Sequence, residues 1–250
     1  MYTDIDLLKE AINIKGGKLE FDFGTGSTGE IKTSFGKGKN FKPYLQKDND
    51  LKGTVVYSLY QAKTRLSTDI LKALKGKTET KVNRKDYDEF IVRSSIFAAV
   101  LIRKLKITKI LITQSTSPLV ADLAREISKR LPIDVVQSGI EKISKAEFNK
   151  IKILDDDRVT SKIRDNLHTI ISKAKKQGRF SIKDIPVPWR KFVSGYFVDK
   201  NQNIKRKVEN HKILILDDVV SSGGSIVEHA TILNGFNVKG VVGLTIFKSI

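Results

Sequence analysis

The chain has 250 residues, of which 40% are hydrophobic, 30% charged and none Cys, and its 46 basic residues against 28 acidic ones give a formal net charge of +18. That length holds one large domain, or an ordinary domain with a smaller appendage, and the composition is that of a folded chain rather than a disordered one. The lack of Cys excludes disulfides and Cys-ligated zinc, His168, His211 and His229 share no metal-ligand spacing, and no apolar run approaches the roughly 18 residues of a membrane span.

The N-terminal stretch MYTDIDLLKE lacks the basic-then-apolar order of a signal peptide, so the expectation is a cytoplasmic protein with no membrane contact. The positive charge is unevenly spread: residues 141–210 carry 18 basic against 9 acidic side chains, while 211–250 carry 3 of each. Such a segment suits a nucleic-acid surface, a basic rim around a polyphosphate site, or a lysine-rich face that meets only water.

In chain order, residues 1–54 read as short strands and turns, with KLEFDF and EIKTSF joined by glycine-rich links. GTGSTG, Gly24 to Gly29, matches a dinucleotide fingerprint in form, but that fingerprint requires a helix after its last glycine. The residues that follow alternate like a strand, so the expectation is a hairpin loop. From Asp86 the pattern changes to helix and strand in turn: a helix over 86–106, the strand KILIT (109–113), a helix opening on Pro118 (118–131) and the strand DVVQSG (134–139). A polar, basic stretch follows, with one helix over 161–177 closed by Gly178. VSGYFV (193–198), KILIL (212–216), a helix over 224–235 and VKGVVGLTIF (238–247) then resume the strand-helix-strand rhythm. The order predicts a doubly wound α/β protein with a parallel sheet and a long excursion at 140–190.

The stretch ILILDDVVSSGGS, Ile213 to Ser225, carries the chemistry. Four aliphatics without alternation fit a central strand buried on both faces, so Asp217 and Asp218 emerge at the carboxyl edge, where such sheets bind ligands. Adjacent carboxylates point to opposite faces; one meets a ligand hydroxyl while the other braces the loop or helps hold a hydrated cation. Ser221, Ser222, Gly223, Gly224 and Ser225 then offer free backbone N–H groups and three hydroxyls at a helix start, which fits a phosphate monoester. Sugar-binding carboxylates beside a phosphate nest point to a ribose 5-phosphate.

This run of aliphatics, two acids, two aliphatics and a Ser/Gly loop resembles the phosphoribosyl-pyrophosphate (PRPP) motif of the type I phosphoribosyltransferase family. The segment Arg190 to Phe197, RKFVSGYF, is similar to the corresponding part of the ComF-like branch. The resemblance spans about 85–250 and implies the family's doubly wound parallel sheet, with 1–84 as a β-rich N-terminal extension or hood and 140–190 as a flexible-loop insertion.

It also implies that Asp217 and Asp218 contact the ribose hydroxyls and, through water, Mg²⁺, while Ser221 to Ser225 hold the 5-phosphate. Pyrophosphate would meet Ser115, Thr116 and Ser117, in a loop lacking the basic residue and glycine that many members place there, with Lys142 and Lys145 as further donors. The implied reaction transfers a phosphoribosyl group from PRPP to a small-molecule nitrogenous acceptor, with Mg²⁺ as cofactor and a homodimer as the common assembly. The absence of an acid at Ser221 argues against a 6-oxopurine acceptor, and Tyr44, Tyr57 and Tyr60 are candidates for stacking a base. The alternative implied is a non-catalytic PRPP- or nucleotide-sensing protein that binds nucleic acid through the basic middle segment. Ile151 to Ile163, IKILDDDRVTSKI, repeats the aliphatic-acid pattern without its glycines and is read as coincidence.

Overall fold

The computed structural model describes residues 18–22, 28–33, 44–46, 54–61, 72, 74–77, 84–114, 117–200, 203–220 and 222–248. Five parallel strands form its centre: β4 (Val55–Gln61), β5 (Lys109–Ile112), β6 (Asp134–Gln137), β11 (Lys212–Val220) and β12 (Gly240–Lys248). They lie in the order β4-β12-β11-β5-β6, and at the β4 edge β1 (Lys18–Asp22), β2 (Thr28–Thr33) and β3 (Tyr44–Gln46) add antiparallel pairings. β1 and β2 pair with each other, Phe21 opposite Gly29, so the segment containing GTGSTG joins two strands and leads into no helix. Gly26 itself lies outside the described residues.

Strand β11 is aliphatic because both of its faces are covered. Leu214 and Leu216 pack with Ile110, Ile112 and the helices α1 (Arg84–Lys104) and α2 (Leu119–Arg130) on one side. Ile213 and Ile215 pack with Leu111, Val136 and the helices α4 (Ile204–Val208) and α5 (Gly224–Asn234) on the other. Each of the four aliphatic side chains of β11, Ile213 to Leu216, is fully buried and contributes about 2 kcal/mol of transfer free energy. The chain winds from β5 through α2 to β6 in one direction and from β11 through α5 to β12 in the other. The winding therefore reverses between β5 and β11, and a crevice opens at their carboxyl ends.

The fold is thus α/β with a five-stranded parallel sheet flanked by helices on both faces, as the sequence predicts. Two expectations change. Strand β4 falls within the residues assigned to an N-terminal extension, yet it pairs in parallel with β12 over Val242 to Lys248, so a boundary at 84/85 would cut one sheet in two. The second concerns 140–190, which is a folded lobe rather than a bare flexible loop.

Within that lobe, β7 (Ile140–Lys142) pairs with β10 (Phe197–Asp199), and β8 (Lys152–Ile153) pairs with β9 (Val193–Ser194). Helix α3 (Ser161–Gln177) starts where the Thr160 hydroxyl accepts the Ile163 N–H, and ends at Gly178 in the left-handed conformation. Phe148, Leu167, Ile171, Ile185, Phe192 and Tyr196 are buried together as the lobe's own apolar centre. VSGYFV, expected as one strand, is divided at Gly195. Its φ of +77° and the Lys150 carbonyl oxygen, 2.0 Å from where a Cβ would stand, permit only glycine there.

Candidate functional site

The two acids stand where the winding reverses. Thr113 follows β5, its N–H donates to the Leu216 carbonyl, and its hydroxyl donates to Asp217 Oδ1 at 3.0 Å. The same Asp217 oxygen accepts the Asp218 N–H at 2.8 Å. Burial and the neighbouring Asp218 charge push the Asp217 carboxyl up to about 6, outweighing those two hydrogen bonds. Asp217 is the brace of the pair. Asp218, 8% exposed, forms an ion pair with Lys75, Nζ to Oδ2 2.5 Å. β11 runs past the acids to Val220, because Val219 and Val220 still pair with Phe247 and Lys248 of β12.

Gly223 then takes the left-handed conformation, φ 74°, and α5 begins at Gly224 without a side-chain cap. The first N–H groups of that helix are therefore available to an anion. Gly224 has a second reason to lack a side chain: a Cβ there would lie 2.5 Å from the Tyr196 hydroxyl oxygen. The RKFVSGYF segment is what supports this loop. The Gly195 N–H donates to Glu228 Oε2 at 2.8 Å, Tyr196 packs against Gly224, and the Phe197 ring lies edge-on to His229 at 4.9 Å between centroids.

His229 is 1% exposed and donates from Nδ1 to the Ser225 carbonyl at 2.8 Å, so Nε2 carries a lone pair, for which the structure gives no hydrogen-bond partner. Burial pulls its imidazole down to about 4, which keeps it neutral above that pH.

Together these residues line a cleft of about 690 Å³, with Thr113, Asp217, Asp218 and Ser222 to Ser225 on the sheet side and Lys142, Lys183 and Arg190 among the residues of the lobe side. Arg190 is held by the carbonyls of Ile185 and Lys183, at 2.9 and 3.3 Å. One wall carries the two acids with Lys75 paired to Asp218, and the other carries Lys142, Lys183 and Arg190 beside the acid Glu141.

Of the residues expected from sequence, the structure gathers Asp217, Asp218, Ser222, Gly223, Gly224, Ser225 and Lys142 here. Ser115, Thr116 and Ser221 lie outside the described residues. Ser117 is buried at the start of α2, its hydroxyl accepting the Leu119 N–H, and is not in the cleft wall. Lys145 opens a 3-10 turn and lies against Gly178, away from the cleft. Tyr60 is a core residue, its ring tilted against Phe90 and Phe247 and its hydroxyl 3.0 Å from Ser94, and Tyr57 packs against the same core. Tyr44 is described only as backbone in β3. In the repeat at 151–163, Asp156 pairs with Arg158 and Asp155 with Arg164 on an exposed turn.

Lys75, Lys183 and His229 were not singled out by the sequence. Lys75 had one local signal, a lysine just before Gly76 at the end of a helical turn. His229 is carried to the cleft by α5, one turn after Ser225, and Lys183 by the lobe, whose docking no linear pattern encodes.

For a metal, the two adjacent carboxylates are the available donors, and among the described residues no cluster of three or more His, Asp or Glu side chains occurs. Asp218 is already neutralised by Lys75, and Asp217 is spent on its two internal bonds. Neither acid is left free for direct ligation, so Asp218 is the residue that would meet a hydrated Mg²⁺ carried in on a ligand's phosphates. Among the described residues no helix is long and apolar enough to cross a membrane. The chain matches no protein-family model and no curated protein.

Proposed function

We propose that the protein is a type I phosphoribosyltransferase, taking PRPP and a nitrogenous acceptor and releasing pyrophosphate. The observation that carries this reading is the meeting of three features in one cleft. An acidic pair stands near the carboxyl end of the central strand where the winding reverses, an uncapped helix start with a left-handed glycine follows it, and Lys142, Lys183 and Arg190 face both.

In this reading Asp218 accepts hydrogen bonds from the ribose hydroxyls, and Asp217 holds Asp218 and Thr113 in register. Ser222 to Ser225 bind the 5-phosphate. In the reaction the bond from ribose C1 to the pyrophosphate oxygen breaks, its electron pair leaving with pyrophosphate, and a bond from C1 to the acceptor nitrogen forms as that nitrogen loses its proton to solvent water. Lys142, Lys183 and Arg190 stabilise the negative charge that gathers on the departing group. The cleft walls shield the cationic sugar from capture by water. Mg²⁺, when bound, supplies charge neutralisation to the pyrophosphate.

The test is pyrophosphate release from PRPP across a panel of nucleobases and related amines, with and without Mg²⁺. Release that requires one acceptor and disappears in Asp217→Asn/Asp218→Asn supports the reading; PRPP binding with no release under any acceptor contradicts transfer. That second outcome would favour a PRPP- or nucleotide-sensing protein that binds nucleic acid, a reading supported by Lys173, Lys175, Lys176 and Arg179, which stand exposed on and just after the end of α3. Affinity for single-stranded nucleic acid that falls steeply with salt is its signature.

A further inference from the structure

Lys75 lies outside the PRPP motif and outside the lobe, yet its side chain reaches the deepest acid of the cleft. Its position is fixed by its neighbours. Leu74, 3% exposed, is packed into the core beneath α1 and α2. The Lys77 N–H donates to the Lys72 carbonyl at 2.8 Å, and Gly76 is left-handed at φ +65°, the bonding pattern of a helix end closed by glycine. Lys75 is thus the last residue of an anchored helical turn, and its ammonium emerges in the cleft beside Thr113, Gln114 and Asp218.

The charges of the site explain why a cation belongs at this point. Without a cation beside them, two adjacent carboxylates at the base of a cleft repel an anionic ligand. The loop after β5, Gln114 to Pro118, contains no basic residue that could offset this. The side chain of Lys75 is only 14% exposed and its Nζ sits 2.5 Å from Asp218 Oδ2. An ammonium has three donors, so one bond to Asp218 leaves two for a ligand oxygen.

We propose that Lys75 is a ligand-contacting residue whose ammonium bridges Asp218 and a pyrophosphate oxygen of the bound phosphoribosyl donor, supplying from the N-terminal part of the chain the charge that the Gln114–Pro118 loop lacks. This rests on the phosphoribosyl reading above. It makes the segment around residue 75 a functional part of the site, and it predicts that Lys75 distinguishes ligands with pyrophosphate from those without.

The experiment is calorimetric titration of the full chain with PRPP and, separately, with ribose 5-phosphate, at fixed Mg²⁺. The proteins compared are the wild type, Lys75→Met, Lys75→Gln and Lys75→Arg, each checked by its melting curve. The expected result is a loss of about tenfold or more in PRPP affinity for the Met and Gln variants, the size of one charge-assisted hydrogen bond. Ribose 5-phosphate affinity should stay within about twofold, and Arg should restore most of the PRPP affinity. Folded Met or Gln variants that bind PRPP normally, or that lose both ligands equally, would show Lys75 to be structural and overturn the proposal while leaving the phosphoribosyl reading intact. Should Met fail to fold, Gln decides, because it still hydrogen-bonds Asp218 without the charge. A wild type that binds neither ligand would overturn both readings together.

Discussion

The two walls of the cleft are built in opposite ways. On the sheet side, Asp217 and Asp218 continue a strand whose aliphatic residues are buried on both faces, and Asp217 is locked by Thr113 and by the backbone of its own neighbour. On the lobe side, Lys183 and Lys142 stand exposed, and Arg190 hangs on carbonyls of a short irregular segment. The first wall is preorganised and desolvated; the second is solvated and adaptable. A ligand whose sugar needs exact hydroxyl contacts and whose phosphates need only charge matches that division, since hydrogen-bond geometry requires rigid partners and diffuse anionic charge does not.

Removing the rigid wall's chemistry should have the largest effect. Asp217→Asn with Asp218→Asn is expected to cost at least about a hundredfold in PRPP affinity, as two hydrogen bonds to charged groups are weakened. Folding should survive, because Asn keeps an oxygen able to accept from Thr113 and from the residue-218 N–H. Calorimetry with a parallel melting curve checks both halves.

Next is the joint between the walls. Gly195→Ala forces a Cβ into the Lys150 carbonyl and threatens the partly buried bond from the residue-195 N–H to Glu228. Urea unfolding should show a loss of about 2–4 kcal/mol. An unchanged midpoint would mean that the lobe does not dock on α5 through this glycine.

A smaller effect separates stability from function at one residue. The Asp217 carboxyl is raised from 3.8 to about 6 on folding. A raised acid contributes stability that is complete below about pH 4 and is lost as pH rises through about 6. Asp217→Asn removes that loss. The single variant should be more stable than wild type by about 2–3 kcal/mol at pH 7.5 and indistinguishable near pH 4, because His229 titrates alike in both proteins. Urea curves at the two pH values decide it.

The adaptable wall should respond least: Lys183→Ala or Lys142→Ala alone is expected to weaken PRPP binding by about two- to fivefold, with the effect fading at high salt. A loss as large as that of the acid pair would mean that the lobe wall is as rigid as the sheet.

The contrast also explains what was readable from the chain. Strands and helices follow from local pattern: unbroken aliphatics at 213–216, Pro118 before a helix, Gly178 after one. The strand order, and so the place where the winding reverses, comes from the folded sheet. The acids and the Ser/Gly loop were legible because they continue a strand whose direction fixes where they emerge. Lys145 was read with Lys142 because both are basic and close in sequence, but the 3-10 turn beginning at Lys145 carries it toward Gly178. Lys75, some 140 residues from its partner Asp218, is joined to it only by the closure of the sheet. Gly224 was read as part of a loop offering backbone N–H groups to a phosphate, whereas its missing side chain also makes room for Tyr196, a contact that depends on the whole lobe being in place.

The most direct test of the central claim is calorimetric titration of PRPP into the wild-type protein with and without Mg²⁺. The account predicts saturable 1:1 binding that Mg²⁺ strengthens and that the Asp217→Asn/Asp218→Asn variant loses; no binding by the folded wild-type chain under either condition would contradict it.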